Sequence, residues 1–101
     1  MRVIGTVVEE ESGKPLAGLT VKAFDKDLIW DDKLGKPALT DAAGKFRIDW
    51  SPIDAGLEAS PELYVRVYDA KGKKVLYQSE IREPPMVEEV FDIKIPRAKL
   101  A

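Results

Sequence analysis

Apolar residues recur at every second position along most of the chain. This is the spacing of half-buried β-strands, whose successive side chains point to opposite faces. In residues 45–50, Phe46, Ile48 and Trp50 share one face while Lys45, Arg47 and Asp49 share the other. Leu63, Val65 and Val67 repeat the device with Tyr64, Arg66 and Tyr68 opposite, and over 19–25 Leu19, Val21 and Ala23 alternate with Thr20 and Lys22. Another strand is expected at 74–79, and a last one at 89–95 with Phe91, Ile93 and Ile95 inward. Residues 3–8 are apolar on both alternating sets, Val3 and Val7 on one and Ile4 and Val8 on the other. That predicts a strand covered on both faces. A short strand at 38–40 brings the count to seven, and helical periodicity is absent except for a turn expected near 53–58.

Turn chemistry punctuates these runs. Gly13 and Pro15 in Glu11-Ser12-Gly13-Lys14-Pro15 end the first strand, because glycine tolerates positive φ and proline cannot continue a ladder. Asp41-Ala42-Ala43-Gly44 and Asp69-Ala70-Lys71-Gly72 both place Asp first and Gly fourth, the preference of a type I turn. Each lies between predicted strands, so each is expected to close a hairpin. Segments 28–37 and 51–61 read as irregular connections, and Glu83-Pro84-Pro85-Met86 as a stiff crossing between sheets. Pro96 ends the last strand and is expected to blunt a sheet edge. The fold class that follows is all-β, a seven- to eight-stranded Greek-key sandwich.

Length and composition narrow the possibilities. At 101 residues, with 45% apolar and 34% charged residues, the chain is expected to form one domain over 1–101. The net charge is −2, and the densest basic cluster, Lys71, Lys73 and Lys74, surrounds a turn glycine. This argues against a nucleic-acid partner, which needs many positive charges on one face. The first apolar run is interrupted by Glu9, Glu10 and Glu11, too soon for a signal-peptide core or a membrane span. No membrane association is expected, and the compartment is left open.

Gly5-Thr6-Val7, Gly13-Lys14-Pro15-Leu16-Ala17-Gly18, Val21 and Thr40-Asp41-Ala42-Ala43-Gly44-Lys45-Phe46 together resemble the transthyretin-like and carboxypeptidase-regulatory-like sandwich domains. The stretch Pro61-Glu62-Leu63-Tyr64-Val65-Arg66-Val67-Tyr68-Asp69 is similar to a later strand of transthyretin-like proteins. The resemblance implies the same sandwich. It carries over no enzymatic site: hydroxyisourate hydrolase relies on histidines and a C-terminal Tyr-Arg-Gly-Ser, whereas this chain has no histidine and ends Pro96-Arg97-Ala98-Lys99-Leu100-Ala101. Intradiol dioxygenases bind iron through tyrosines and histidines, and the pocket residues of transthyretin's hormone channel have no counterpart here. The matched positions are turn-formers, and so scaffold.

Without histidine or cysteine the chain offers no Ser-His or Cys-His dyad, no zinc-thiolate site and no disulfide. It is expected not to be an enzyme. Asp25, Asp27, Asp31 and Asp32 crowd four carboxylates into eight residues, with Asp41 a further candidate should the loop fold back. Calcium takes six to eight oxygen ligands, so a calcium site is one reading of this loop. The spacing is not that of an EF-hand, and a solvated acidic loop with no cofactor is the other reading. Trp30 lies among these charges and reads either as an exposed anchor or, the favoured expectation, as a plug for one end of the sandwich. Tyr64, Arg66 and Tyr68 are of the types enriched at interface hot spots, and Tyr77 extends the patch if it lies on the neighbouring strand. The function expected is a non-catalytic binding or assembly module whose partner is a protein or a second copy. The alternatives are a small-ligand or carbohydrate binder using Trp30 and the tyrosines, and a calcium-dependent variant.

Overall fold

A computed structural model describes residues 1–27, 29–55 and 61–101. Its strands are β1 (Arg2–Glu9), β2 (Thr20–Asp25), β3 (Asp32–Leu39), β4 (Lys45–Asp49), β5 (Leu63–Tyr68), β6 (Val75–Gln78) and β7 (Glu88–Ile95), followed by a short helix α1 (Arg97–Leu100). They form a three-stranded sheet ordered β4-β1-β7 and a four-stranded sheet ordered β3-β2-β5-β6. The protein is an all-β sandwich. No described helix is long and apolar enough to cross a membrane.

The alternating apolar sets meet between the sheets. Val3, Val7, Phe46, Ile48, Trp50, Phe91, Ile93 and Ile95 face Val21, Ala23, Leu34, Leu63, Val65, Val67 and Leu76, all buried. Burying one such side chain stabilises by about 1.5–3 kcal/mol, which makes this stack the main source of stability. β1 sits at the centre of its sheet, antiparallel to β4 and parallel to β7. Only its inward set is buried, while Ile4 and Val8 are half-buried on the outer face. The expectation of a strand covered on both sides is therefore corrected: the three-stranded sheet has no layer over its outer face among the described residues.

Two further expectations change. The Asp69 turn closes the β5–β6 hairpin, but the Asp41 turn carries the chain from β3 in one sheet to β4 in the other. Their chemistry is the same: each Asp accepts amide hydrogens through Oδ1, and Gly44 and Gly72 have φ +75° and +72°. What differs is the neighbour. Gly44 packs against the Val7 carbonyl and accepts a hydrogen bond from the Val7 amide, which directs β4 onto β1. The second change is that β3 runs from Asp32 to Leu39, absorbing most of the supposed irregular connection. Val21 pairs with Ala38 and Ala23 with Leu34, so residues 35–37 form a bulge. Bulges and edges are where a strand tolerates proline, here Pro37. The helical turn expected near 53–58 is a 3₁₀ turn at Pro52–Ala55, and residues 56–60 lie outside the described ones.

Arg82, on the crossing from β6 to β7, ties the sheets together. Its backbone exchanges hydrogen bonds with Leu63 at the start of β5. Its guanidinium donates to Glu89 Oε1 at 3.0 Å and to the Val90 carbonyl at 2.7 Å, and lies 4.0 Å from the centroid of the Phe91 ring.

The inward side of Gly5 is filled by neighbours. A Cβ there would meet the Phe91 carbonyl oxygen at 2.2 Å and the Phe46 ring at 2.8 Å. Gly5→Ala is accordingly expected to destabilise the fold by about 1–3 kcal/mol in urea titration, as overpacking does. A loss below about 0.5 kcal/mol would contradict this packing.

Candidate functional site

The outer face of the four-stranded sheet carries the densest functional chemistry. Alternation that turns Val21 and Ala23 inward turns Thr20, Lys22 and Phe24 outward, and on β5 it presents Tyr64, Arg66 and Tyr68. The antiparallel register sets Phe24 beside Tyr64, Lys22 beside Arg66 and Thr20 beside Tyr68. On the outer strands, Phe24 is also paired with Lys33 of β3 and Arg66 with Gln78 of β6.

These side chains form two levels. Below, the rings of Phe24 and Tyr64 stack with centroids 5.3 Å apart and planes 21° apart. Phe24, Tyr64 and Tyr68 are all buried despite facing away from the core. Above them lie the cations. The Arg66 guanidinium carbon is 5.1 Å from the Phe24 centroid and 5.4 Å from that of Tyr64, and Lys22 Nζ is 4.7 Å from the Tyr68 centroid. Like charges directly opposite on a ladder repel. Here each leans over a different ring, and cation–π attraction of about 0.5–1 kcal/mol offsets the cost. Arg66 Nε donates to Gln78 Oε1 at 2.8 Å, which fixes the plane of the fork.

The acidic connection meets this face at one end. The Tyr64 hydroxyl donates a hydrogen bond to Asp31 Oδ2, and Asp31 Oδ1 accepts from the Asp27 amide. The Tyr64 bond, reinforced by that amide, holds the Asp31 carboxyl below the usual carboxylate range. Burial, then the Asp31 bond, pushes the Tyr64 phenol above its ordinary value. The hydrogen bond thus requires an ionised Asp31 and a protonated Tyr64, and it persists across neutral pH.

The candidate residues are distributed as follows. Trp30 is 75% exposed and its neighbour Ile29 81% exposed. The plug reading is corrected: Trp50, buried at the end of β4, supplies the inward indole instead. Tyr64 and Tyr68 lie beneath Arg66 and Lys22 rather than standing free, because stacking and the long cationic side chains cover their rings. Tyr77 pairs with Val67 and packs partly against the core, so Gln78, one residue on, extends the patch.

Of the four aspartates proposed for calcium, Asp25 is fully buried, its Oδ1 accepting the Glu62 amide at 2.8 Å and its Oδ2 unpartnered. Asp27 is exposed, Asp31 is engaged by Tyr64, and Asp32 opens β3 opposite Asp25. Asp41 is taken up by its own turn. Among the described residues no three acidic, histidine or cysteine groups gather as a metal cluster. Leu28, in this connection, lies outside the described residues. Lys22, Phe24 and Lys33 escape sequence reading as site residues. For Lys22 and Phe24 the signal was present, since they continue the outward set of β2.

No protein-family model and no curated protein matches the chain. It is similar to a solved structure of a 9R-lipoxygenase from Cyanothece PCC8801, at 23% identity and a TM-score of 0.73. The likeness covers 91% of this chain but 16% of that one. What the two share is the fold. This chain spans about one sixth of that enzyme's length.

The Asp31–Tyr64 bond generates a pH prediction. A depressed folded-state pKa contributes stability that is complete above the unfolded Asp pKa and is lost as pH falls through the folded one. The raised Tyr64 value adds stability that is lost as pH rises beyond about 10, the ordinary tyrosine pKa. Wild-type melting temperature should therefore drop below about pH 4 and above about pH 10 more steeply than that of Tyr64→Phe. Parallel acid limbs for the two proteins would refute the bond.

Proposed function

We propose that the protein is a non-catalytic interaction module, an accessory domain that binds a protein partner or a second copy. The observation that carries this reading is the exposed Ile29–Trp30 pair beside a rigid platform of cations over buried rings. Tryptophan and arginine are the residue types most enriched at interface hot spots. Rings locked by stacking lose little entropy when a partner arrives.

The non-catalytic part of the reading is supported by the absence of imidazole and thiol from the chain. Its likeness to a small fraction of a lipoxygenase is a likeness to a sandwich and brings no chemistry of that enzyme with it. Kinship with transthyretin-like and carboxypeptidase-regulatory-like domains belongs to the same proposal. It is supported by the turn glycines of the matched motifs: Gly13, Gly18 and Gly44 all have positive φ, between +73° and +77°. A role in stacking free sugars or small aromatics on the tyrosines is disfavoured, since the rings are already covered.

A random peptide display library tests the reading. The wild-type protein should enrich a peptide family whose affinity falls at least roughly tenfold in Trp30→Ala, the effect of a modest hot spot. Val75→Ser, at an exposed position of β6, should leave binding intact. Absence of any Trp30-dependent family, together with a strict monomer in light scattering, would overturn the proposal.

A further inference from the structure

We infer that the outer face of β2, β3 and β5 accepts the carboxylates of an extended acidic protein segment. This rests on the reading of the protein as an interaction module and names the chemistry of what it binds. Three cations, Lys33, Lys22 and Arg66, step across three adjacent strands. None of them makes an ion pair among the described residues, and Lys22 and Arg66 are held in place by rings and by Gln78 instead. Asp31, a carboxylate at one end of the face, accepts the Tyr64 hydroxyl and interacts with Arg66 through charge alone, without a hydrogen bond among the described residues. With a net charge of −2, this gathering of three cations on one face is a local feature, not a consequence of composition.

Arg66 supplies the specific element. With Nε donating to Gln78, the terminal Nη groups have no hydrogen-bond partner among the described residues and form an open fork. Such a fork matches both oxygens of one carboxylate, where a lysine offers only a point charge. Lys22 and Arg66 face each other directly, and Lys33 lies one diagonal step away, roughly 7–8 Å in such ladders. Alternate side chains on one face of an extended peptide are spaced by roughly 6.5–7 Å. A segment with an acidic residue at every second position therefore matches the step from Lys22 to Lys33, with Arg66 directly opposite Lys22.

Other polyanions fit less well. Single-stranded nucleic acid is gripped by stacking bases on exposed aromatic faces and by many phosphate contacts. Here the rings of Phe24, Tyr64 and Tyr68 are covered and three cations stand over or beside them. Sulfated sugars would likewise lose the stacking surface.

The test is fluorescence anisotropy with a labelled octapeptide of alternating Glu and Ser, compared with its Gln-Ser counterpart. The acidic peptide should bind the full chain at low salt, weaken as salt screens the charges, and exceed the neutral peptide by at least roughly tenfold. Arg66→Gln should cost roughly tenfold or more, and Arg66→Lys should recover only part of it, because a fork and a point charge differ. Lys22→Gln, which removes one cation above an intact ring stack, provides a second variant should Arg66→Gln fail to fold. Lys94→Gln, on the exposed face of the other sheet, should change nothing.

Equal affinity for the two peptides, or equal sensitivity to Lys94→Gln, would overturn the inference. So would tighter, Arg66-dependent binding of a short oligothymidylate, a heparin fragment or phosphatidylserine vesicles. If library peptides still depend on Trp30 but carry no acidic bias, the inference fails and the interaction module stands. If no Trp30-dependent peptide exists and the protein is a strict monomer, the broader reading fails first.

Discussion

Each sheet has one apolar row that can leave water only by meeting the row of the other sheet. That requirement organises the rest of the molecule. It is met by the register in which β1 takes β4 on one side and β7 on the other, which places Val3, Val7, Phe46, Ile48, Phe91, Ile93 and Ile95 on a common inner surface. It also explains why Gly5 has no side chain at the point where the Phe46 ring crosses β1. Arg82 then joins the two layers at their margin, with its backbone against β5 and its guanidinium against β7. Once the inner rows are committed, the residues between them must form the outer faces.

The two outer faces solve that problem differently. On the three-stranded sheet, Ile4 and Val8 remain half-buried, and the Arg2–Glu88 ion pair crosses from β1 to β7. On the four-stranded sheet, aromatic rings are laid flat and covered by cations, which keeps apolar area out of water without a third layer. The arrangement leaves positive charge uppermost and oriented. The anionic segment proposed above would therefore meet an Arg66 that folding has already ordered.

Much of this was legible in the chain. Period two located β2, β4, β5 and β7, because burial of one face imposes it whatever the tertiary context. What escaped depends on distant neighbours. The Asp41 and Asp69 turns have the same local chemistry, and only contact of Gly44 with β1 makes the first a corner between sheets. β3 was underestimated because Gly35 and Pro37 look like breakers, and a bulge at an edge accommodates both. Trp30 was expected to plug one end of the sandwich but is 75% exposed, while Trp50, in register with Phe46 and Ile48, is buried as its position in the alternation implies. The outward faces of Tyr64 and Tyr68 were readable, but their burial was not. That depends on Phe24, Lys22 and Arg66 meeting them across the ladder.

Nuclear magnetic resonance offers the most direct examination of the central claim, that folding pre-orients Arg66 and Lys22 above buried rings for an anionic segment. The Arg66 Nε–Hε signal should be resolved and protected from exchange in the free protein, and titration with an acidic peptide should shift it together with the amides of Lys22, Phe24, Tyr64 and Gln78. A freely exchanging Arg66 signal, or shifts confined to β1 and β7 on the opposite side of the sandwich, would contradict the account.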